Sequence, residues 1–310
     1  MRFVEFFIAQ FQIKQTMKKH FLFLGIAAIL LSSCNGKSGN EKASGATTAS
    51  EDQSTKPKAP KAEGTPRILF IGNSHTEYFV SSPVLFGEIC KANNQPMDID
   101  QLVTMGVSID KVYNDHKTEA ETYFGKTDKD GNYYDYVILQ ESTPVALAEP
   151  DKYIENVKMI VDKIQKNSPG VAIYIYEAMS PLQFTDPEYK EYFDEIRKNA
   201  ISVTQSVKNS GLLKVGDALN DAYNGKKGYK YLVGNKDNLR YGENSLHLLN
   251  DGGFMQAVLL YATLFDKKPS TPKELTLSTG TGDNDDMKKQ EVSKVISNTK
   301  ALEEIAFSNR

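Results

Sequence analysis

Two rhythms of apolar residues alternate along the chain from Pro66 onward. The first is a short run, apolar at most positions in Ile68–Gly72, Tyr136–Gln140, Val171–Tyr176 and Leu212–Val215, and more mixed in Ile99–Thr104. Apolar runs of this length predict strands covered on both faces. The second rhythm is helical. Leu85, Phe86, Ile89 and Cys90 recur within Pro83–Asn93, and Ile154, Val157, Ile160, Val161 and Ile164 within Pro150–Lys166. Such spacing gathers apolar side chains on one helix face. Helices are also predicted over Ser108–Phe124 and Pro187–Asn209, and a turn over Asp128–Tyr134. Gly252–Phe265 is apolar nearly all round, which predicts a buried helix. Strands separated by helices imply a parallel sheet with right-handed crossovers. The expected fold is α/β: a three-layer α/β/α sandwich on a doubly wound, mostly parallel five-stranded sheet. It spans residues 66–270, an ordinary size for one domain.

The flanks follow neither rhythm. Residues 271–310 begin polar, with Asp283, Asp285 and Asp286 in a solvated loop, and continue into Val292, Val295, Ile296, Leu302 and Ile305 at helical spacing. This predicts a C-terminal amphipathic helix that packs on the domain or on a partner. Asn35–Thr65 contains no Val, Ile, Leu, Met, Phe, Tyr or Trp. With nothing apolar to bury, ordering such a segment is not compensated, so residues 34–65 are expected to form a flexible tether. Residues 1–33 read as an N-terminal extension and signal peptide: Lys18 and Lys19, an apolar stretch Phe21–Leu31, then Ser32-Ser33-Cys34. The apolar stretch is too short for a membrane span. Small residues directly before Cys34 resemble the bacterial lipobox. That resemblance implies lipidation at Cys34 and a lipid-anchored place in the cell envelope, periplasmic or surface-exposed.

Composition narrows the function. The net charge is -3 with neither sign dominating, so no nucleic-acid footprint is present. Cys90 is the one cysteine besides Cys34. It sits on an apolar helix face, where it reads as a small buried hydrophobe.

The candidate chemistry begins at Gly72-Asn73-Ser74-His75-Thr76, where the first apolar run stops in a tight turn. Doubly wound sheets bind ligands beyond the carboxyl ends of their strands, so Ser74 is displayed where ligands bind. A serine hydroxyl needs a base to become a nucleophile; the plainer reading is a helix cap. Thr76 occupies the second glycine of G-x-S-x-G, which argues against the α/β-hydrolase elbow. Outside the targeting segment the histidines are His75, His116 and His247. His75 adjoins Ser74, and His116 lies in a predicted helix, where it could line the pocket. His247 follows the last strand and precedes the closing helix, so it is the best candidate base. Gly106 and Gln140 end the second and third strands at the same edge. There a glycine-exposed N–H and a side-chain amide could face a developing oxyanion. No His/Cys/Asp cluster has metal-ligand spacing and no glycine-rich loop suits a nucleotide, so no cofactor and no metal are expected.

These pieces resemble the SGNH (GDSL-type) hydrolase superfamily, which carries a flavodoxin-like sheet. Gly72-Asn73-Ser74-His75-Thr76 is similar to its first block, Gly106 to its second and Gln140-Glu141-Ser142 to its third. His247, followed by a glycine-containing turn and Phe254–Phe265, is similar to its last. The closest resemblance is to a bacterial lipoprotein subgroup with G-N-S-x-T in block one and L-Q-E in block three. The resemblance implies a serine esterase or acylhydrolase. Ser74 would be the nucleophile and His247 the base, with the Ser74 N–H, Gly106 N–H and Gln140 as oxyanion hole. Asn73, His75, His116 and Glu141 are the remaining pocket candidates. The implied substrate is a short acyl ester, plausibly an O-acetyl group on a carbohydrate. The chain departs from the family twice. Gln140 replaces the third-block asparagine, as it does in some carbohydrate-acetylesterase branches. Asn244 replaces the acid three residues before the histidine. Glu243 or Asp217 could supply the carboxylate, or a backbone carbonyl could orient His247 in a dyad. The alternative is a catalytically weak or inactive SGNH-like glycan-binding lipoprotein.

Overall fold

The computed structural model describes residues 56–60, 64–241, 246–280 and 286–310. Its apolar runs form β1 (Arg67–Gly72), β2 (Asp98–Val103), β3 (Tyr136–Leu139), β4 (Ala172–Tyr176) and β5 (Ser210–Leu213). All pair in parallel, in the order β2-β1-β3-β4-β5. This is the flavodoxin-like order, and it reverses between β1 and β3, where such sheets open a crevice at their carboxyl ends. The inner strands are apolar because both faces are covered: Ile68, Leu69, Val137, Leu139, Ile173 and Ile175 are fully buried. Edge strand β2 carries Asp98, Asp100 and Gln101, polar residues suited to an unpaired margin.

Among the described residues, helices cover both faces of the sheet. One face is covered by α2 (Ile109–Asp115), α4 (Thr143–Ala148), α5 (Pro150–Ile164) and α6 (Tyr189–Ser206), which pack on one another. Short α3 (Lys117–Phe124) follows α2. The other face carries α1 (Ser82–Ala92), α7 (Val215–Tyr223) and α8 (Asn250–Phe265). Helix α8 is buried along almost its whole length, as its all-apolar circumference requires.

Several boundaries differ from expectation. The helix predicted over 108–124 breaks at His116, whose backbone (φ -108°, ψ 27°) leaves the helical region while its Nε2 contacts the Val103 carbonyl at 3.1 Å. Val215 opens α7 rather than closing β5. Helix α4, only six residues long, shows no helical period that a sequence could reveal. The hairpin β6 (Leu232–Val233) and β7 (Lys236–Asp237) follows α7.

The C-terminal segment is more structured than one amphipathic helix. Strands β8 (Glu274–Ser278) and β9 (Met287–Glu291) form a hairpin, followed by α9 (Val292–Val295) and α10 (Thr299–Ser308). Ile296 is extended, which ends α9, and Asn298 caps α10 by accepting from the Ala301 N–H at 3.1 Å. Helix α10 packs on α8, and Glu88 of α1 holds the hairpin through Thr276 and Lys289.

The described part of the expected tether is docked. Pro57 is buried over Gly211, where a Cβ would come within 2.6 Å of the proline ring. The Lys58 N–H donates to Asn209 Oδ1 at 2.8 Å, and Asn209 Nδ2 returns a bond to the Lys58 carbonyl. These contacts lie at the amino-terminal end of β5, the end of the sheet opposite Ser74. The expected signal segment, Cys34 and the rest of the tether except Gly64 and Thr65 lie outside the described residues.

Candidate active site

Strand β1 ends against a side chain from β3. The Gln140 Oε1 accepts from the Asn73 N–H at 2.8 Å and from the Thr76 hydroxyl at 3.1 Å, and its Nε2 donates to the Glu141 carbonyl at 2.6 Å. Gly72 makes this possible, since a Cβ there would sit 2.3 Å from Thr76 Oγ1 and 2.8 Å from Gln140 Oε1. The Asn73 carbonyl then accepts from Thr76 N–H at 2.8 Å and Glu77 N–H at 3.3 Å, closing the turn that displays Ser74. Ser74 does not cap α1. That role belongs to Ser81, whose hydroxyl accepts from the Val84 N–H.

Asn73 links this turn to the one after β2. Its Nδ2 donates to the Val107 carbonyl at 2.9 Å, and its Oδ1 accepts from the His75 N–H at 3.3 Å. Gly106 is exposed with φ +72°, a conformation only glycine adopts readily. The N–H groups of Ser74 and Gly106 make no hydrogen bond with a described residue. Two unengaged donors therefore sit on adjoining turns at the crevice, beside a half-buried serine hydroxyl.

His247 reaches the same rim on a loop fastened at both sides. Arg240 bridges to Leu248, the Tyr241 N–H donates to the His247 carbonyl at 2.8 Å, and the Leu249 N–H to the Leu239 carbonyl at 2.9 Å. Gly252 lets α8 start directly under that carbonyl, where a Cβ would come within 2.3 Å. The Arg240 guanidinium is buried and donates to the Ser180 carbonyl, the Leu182 carbonyl and the Tyr223 hydroxyl, tying the loop to the end of β4. The His247 ring centroid lies 6.1 Å from that of His75 and 4.4 Å from that of Tyr78. Neither imidazole nitrogen of His247 makes a hydrogen bond with a described residue. Burial lowers its pKa to about 4.

The other predicted site residues have defined places. His75 is buried against Thr143 and Tyr176; burial, helped by His247 and Arg240, lowers its pKa to about 3, so it is neutral. Glu141 is buried. It accepts from Ser142 N–H and Ile109 N–H, which anchors α2, and from Asn156 Nδ2. Burial pushes its carboxyl up. Asp217 is engaged by Arg197 at 2.9–3.2 Å on α6, beside fully buried Glu177, and not by His247. His116 joins α2 to α3 with Glu119 at its Nδ1. Glu243 and Asn244 lie outside the described residues. Tyr78, Thr143 and Arg240 were not expected from the sequence, where each reads as an ordinary core or surface residue.

The fold is similar to that of a DUF4886 family protein from Bacteroides uniformis, with TM-score 0.56 and 15% identity over 79% of this chain and 94% of that one. A lipase/acylhydrolase from Enterococcus faecalis is similar with TM-score 0.48 and 15% identity, over 67% of this chain and 100% of that one. A member of the lipolytic protein G-D-S-L family from Veillonella parvula gives TM-score 0.46 and 15% identity, over 65% and 98%. The likeness is one of architecture, the three-layer flavodoxin-like topology of SGNH/GDSL-type hydrolases. No protein-family model and no curated protein matches the chain.

Proposed function

We propose that the chain is an SGNH-type serine hydrolase of short acyl esters. Ser74 Oγ attacks the acyl carbonyl while its proton passes to His247. The N–H groups of Ser74 and Gly106 receive the oxyanion. His247 then protonates the departing alcohol, and a water molecule deprotonated by His247 releases the acid. The observation that carries this reading is the pair of unengaged N–H donors on the Ser74 and Gly106 turns, with His247 at the same rim. Gln140 enters as a positioning residue, because its Oε1 holds the Asn73 N–H and the Thr76 hydroxyl on either side of Ser74. The missing Ser74–His247 hydrogen bond is compatible with catalysis, since such bonds often tighten only around bound substrate.

An O-acetyl group on a carbohydrate is the proposed substrate class, a proposal drawn from the family resemblance. Lipidation at Cys34 would hold the enzyme in the cell envelope. The second reading, a glycan-binding protein without turnover, draws on the lack of a described carboxylate bonded to His247. Fluorophosphonate labelling followed by peptide mass spectrometry separates the two. The hydrolase reading predicts a single adduct on Ser74 that disappears in His247→Ala; an unlabelled Ser74 favours the binding reading.

A further inference from the structure

We infer that Tyr78 is the positioning residue for His247, its ring doing by stacking what a carboxylate does by hydrogen bonding in a Ser-His-Asp triad. The inference rests on the reading of His247 as the base. The Tyr78 ring lies 4.4 Å from the imidazole centroid at 33°. Phe79 closes a second side at 5.9 Å and 82°, and His75 a third at 6.1 Å and 90°. Tyr241 backs Phe79 at 4.7 Å. Of these rings Tyr78 lies nearest to the imidazole and is the one tilted towards stacking on it.

Among the described residues, the charged groups around it are otherwise engaged. From the turn after β1, His75 is neutral and Glu77 bonds Ser81 and Gln101. From the His247 loop, Arg240 points to the Ser180 and Leu182 carbonyls and Tyr223. From α7, Asp217 is paired with Arg197. From α8, Asp251 bonds Tyr229 and Ser297. None of these carboxylates bonds the imidazole.

A triad acid fixes the base and stabilises the imidazolium formed when the nucleophile loses its proton. Stacking supplies the first of these: ring contact fixes the orientation. The proton balance is unchanged: Ser74 gives its proton to His247, and the leaving alkoxide takes it back. Partial burial beside these rings lowers the imidazole's pKa, so the free base stays neutral into acid. Its folded pKa of about 4 lies below the unfolded 6.5, so the base is lost only as pH falls towards 4.

The test is the pH profile of kcat/KM for 4-nitrophenyl acetate with the wild type, Tyr78→Phe and Tyr78→Ala. The wild type and Tyr78→Phe should share an acid limb below pH 5. Tyr78→Ala admits water, so its limb should rise by about 1–2 pH units towards the free-histidine value, with plateau activity about tenfold lower. A merely structural role would lower activity without moving the limb. Proton NMR titration of His247 in the wild type, assigned by the signal lost in His247→Gln, should give a midpoint below pH 5. An unmoved limb in Tyr78→Ala, or a His247 midpoint at or above 6.5, overturns the inference while leaving the hydrolase reading intact. A Ser74→Ala variant as active as the wild type overturns both.

Discussion

Gln140 shows how one side chain can decide the geometry of three others. It is 1% exposed, and its single oxygen holds the Asn73 N–H and the Thr76 hydroxyl. Truncation leaves both donors unpaired in a dry site. At about 1–3 kcal/mol for each buried unsatisfied group, Gln140→Ala should lose roughly 2–6 kcal/mol of stability. Urea denaturation of the purified domain checks this; a loss below about 0.5 kcal/mol would show that water reaches the site and replaces the amide. The resemblance to the family suggested an oxyanion donor here, and the contacts that the structure shows are all within the protein. A strand-end amide in an apolar run needs partners, but sequence does not say whether they belong to the substrate or to the protein. Here the adjoining turn takes them, because Gly72 leaves room for the side chain. Tyr78 was illegible for a related cause. Its contact with His247 spans most of the chain, and an aromatic residue looks the same in sequence whether it fills a core or flanks a base.

At the scale of elements, the parallel sheet does most of the work. Every strand ends at the same edge, so Ser74, Gly106 and Gln140 converge once β1, β2 and β3 are recognised as strands. This convergence was readable because the inner strands are nearly unbroken apolar runs. The helices were less so where they are short or broken, as at α4 and at His116. One element-level prediction separates capping from chemistry. Ser81 caps α1, so Ser81→Ala should lower stability by about 1 kcal/mol while leaving ester hydrolysis unchanged. Thermal denaturation alongside an esterase assay checks both halves. A serine that lost activity without losing stability would have to be reassigned from the cap to the site.

Across the described residues from Lys56 to Arg310, the sheet positions the site and two appended pieces brace it. The β8–β9 hairpin and α10 pack on α1 and α8, the helices that flank the Ser74 turn and the His247 loop. The sequence foretold packing by a C-terminal helix. It did not foretell the hairpin, because β8 and β9 are mutually paired and carry polar residues such as Lys288, Lys289 and Gln290 on an exposed strand. Likewise Pro57 docks at the far end of the sheet through a contact with a glycine, which no apolar pattern announces. The whole arrangement stands or falls on a serine and a histidine, 173 positions apart, acting on one bond. The most direct measurement is steady-state hydrolysis of 4-nitrophenyl acetate by the protein beside Ser74→Ala and His247→Ala. The account predicts that each variant loses at least about 10³-fold in kcat, and that the double variant is no worse than either alone. Activity that survives removal of the Ser74 hydroxyl would contradict it.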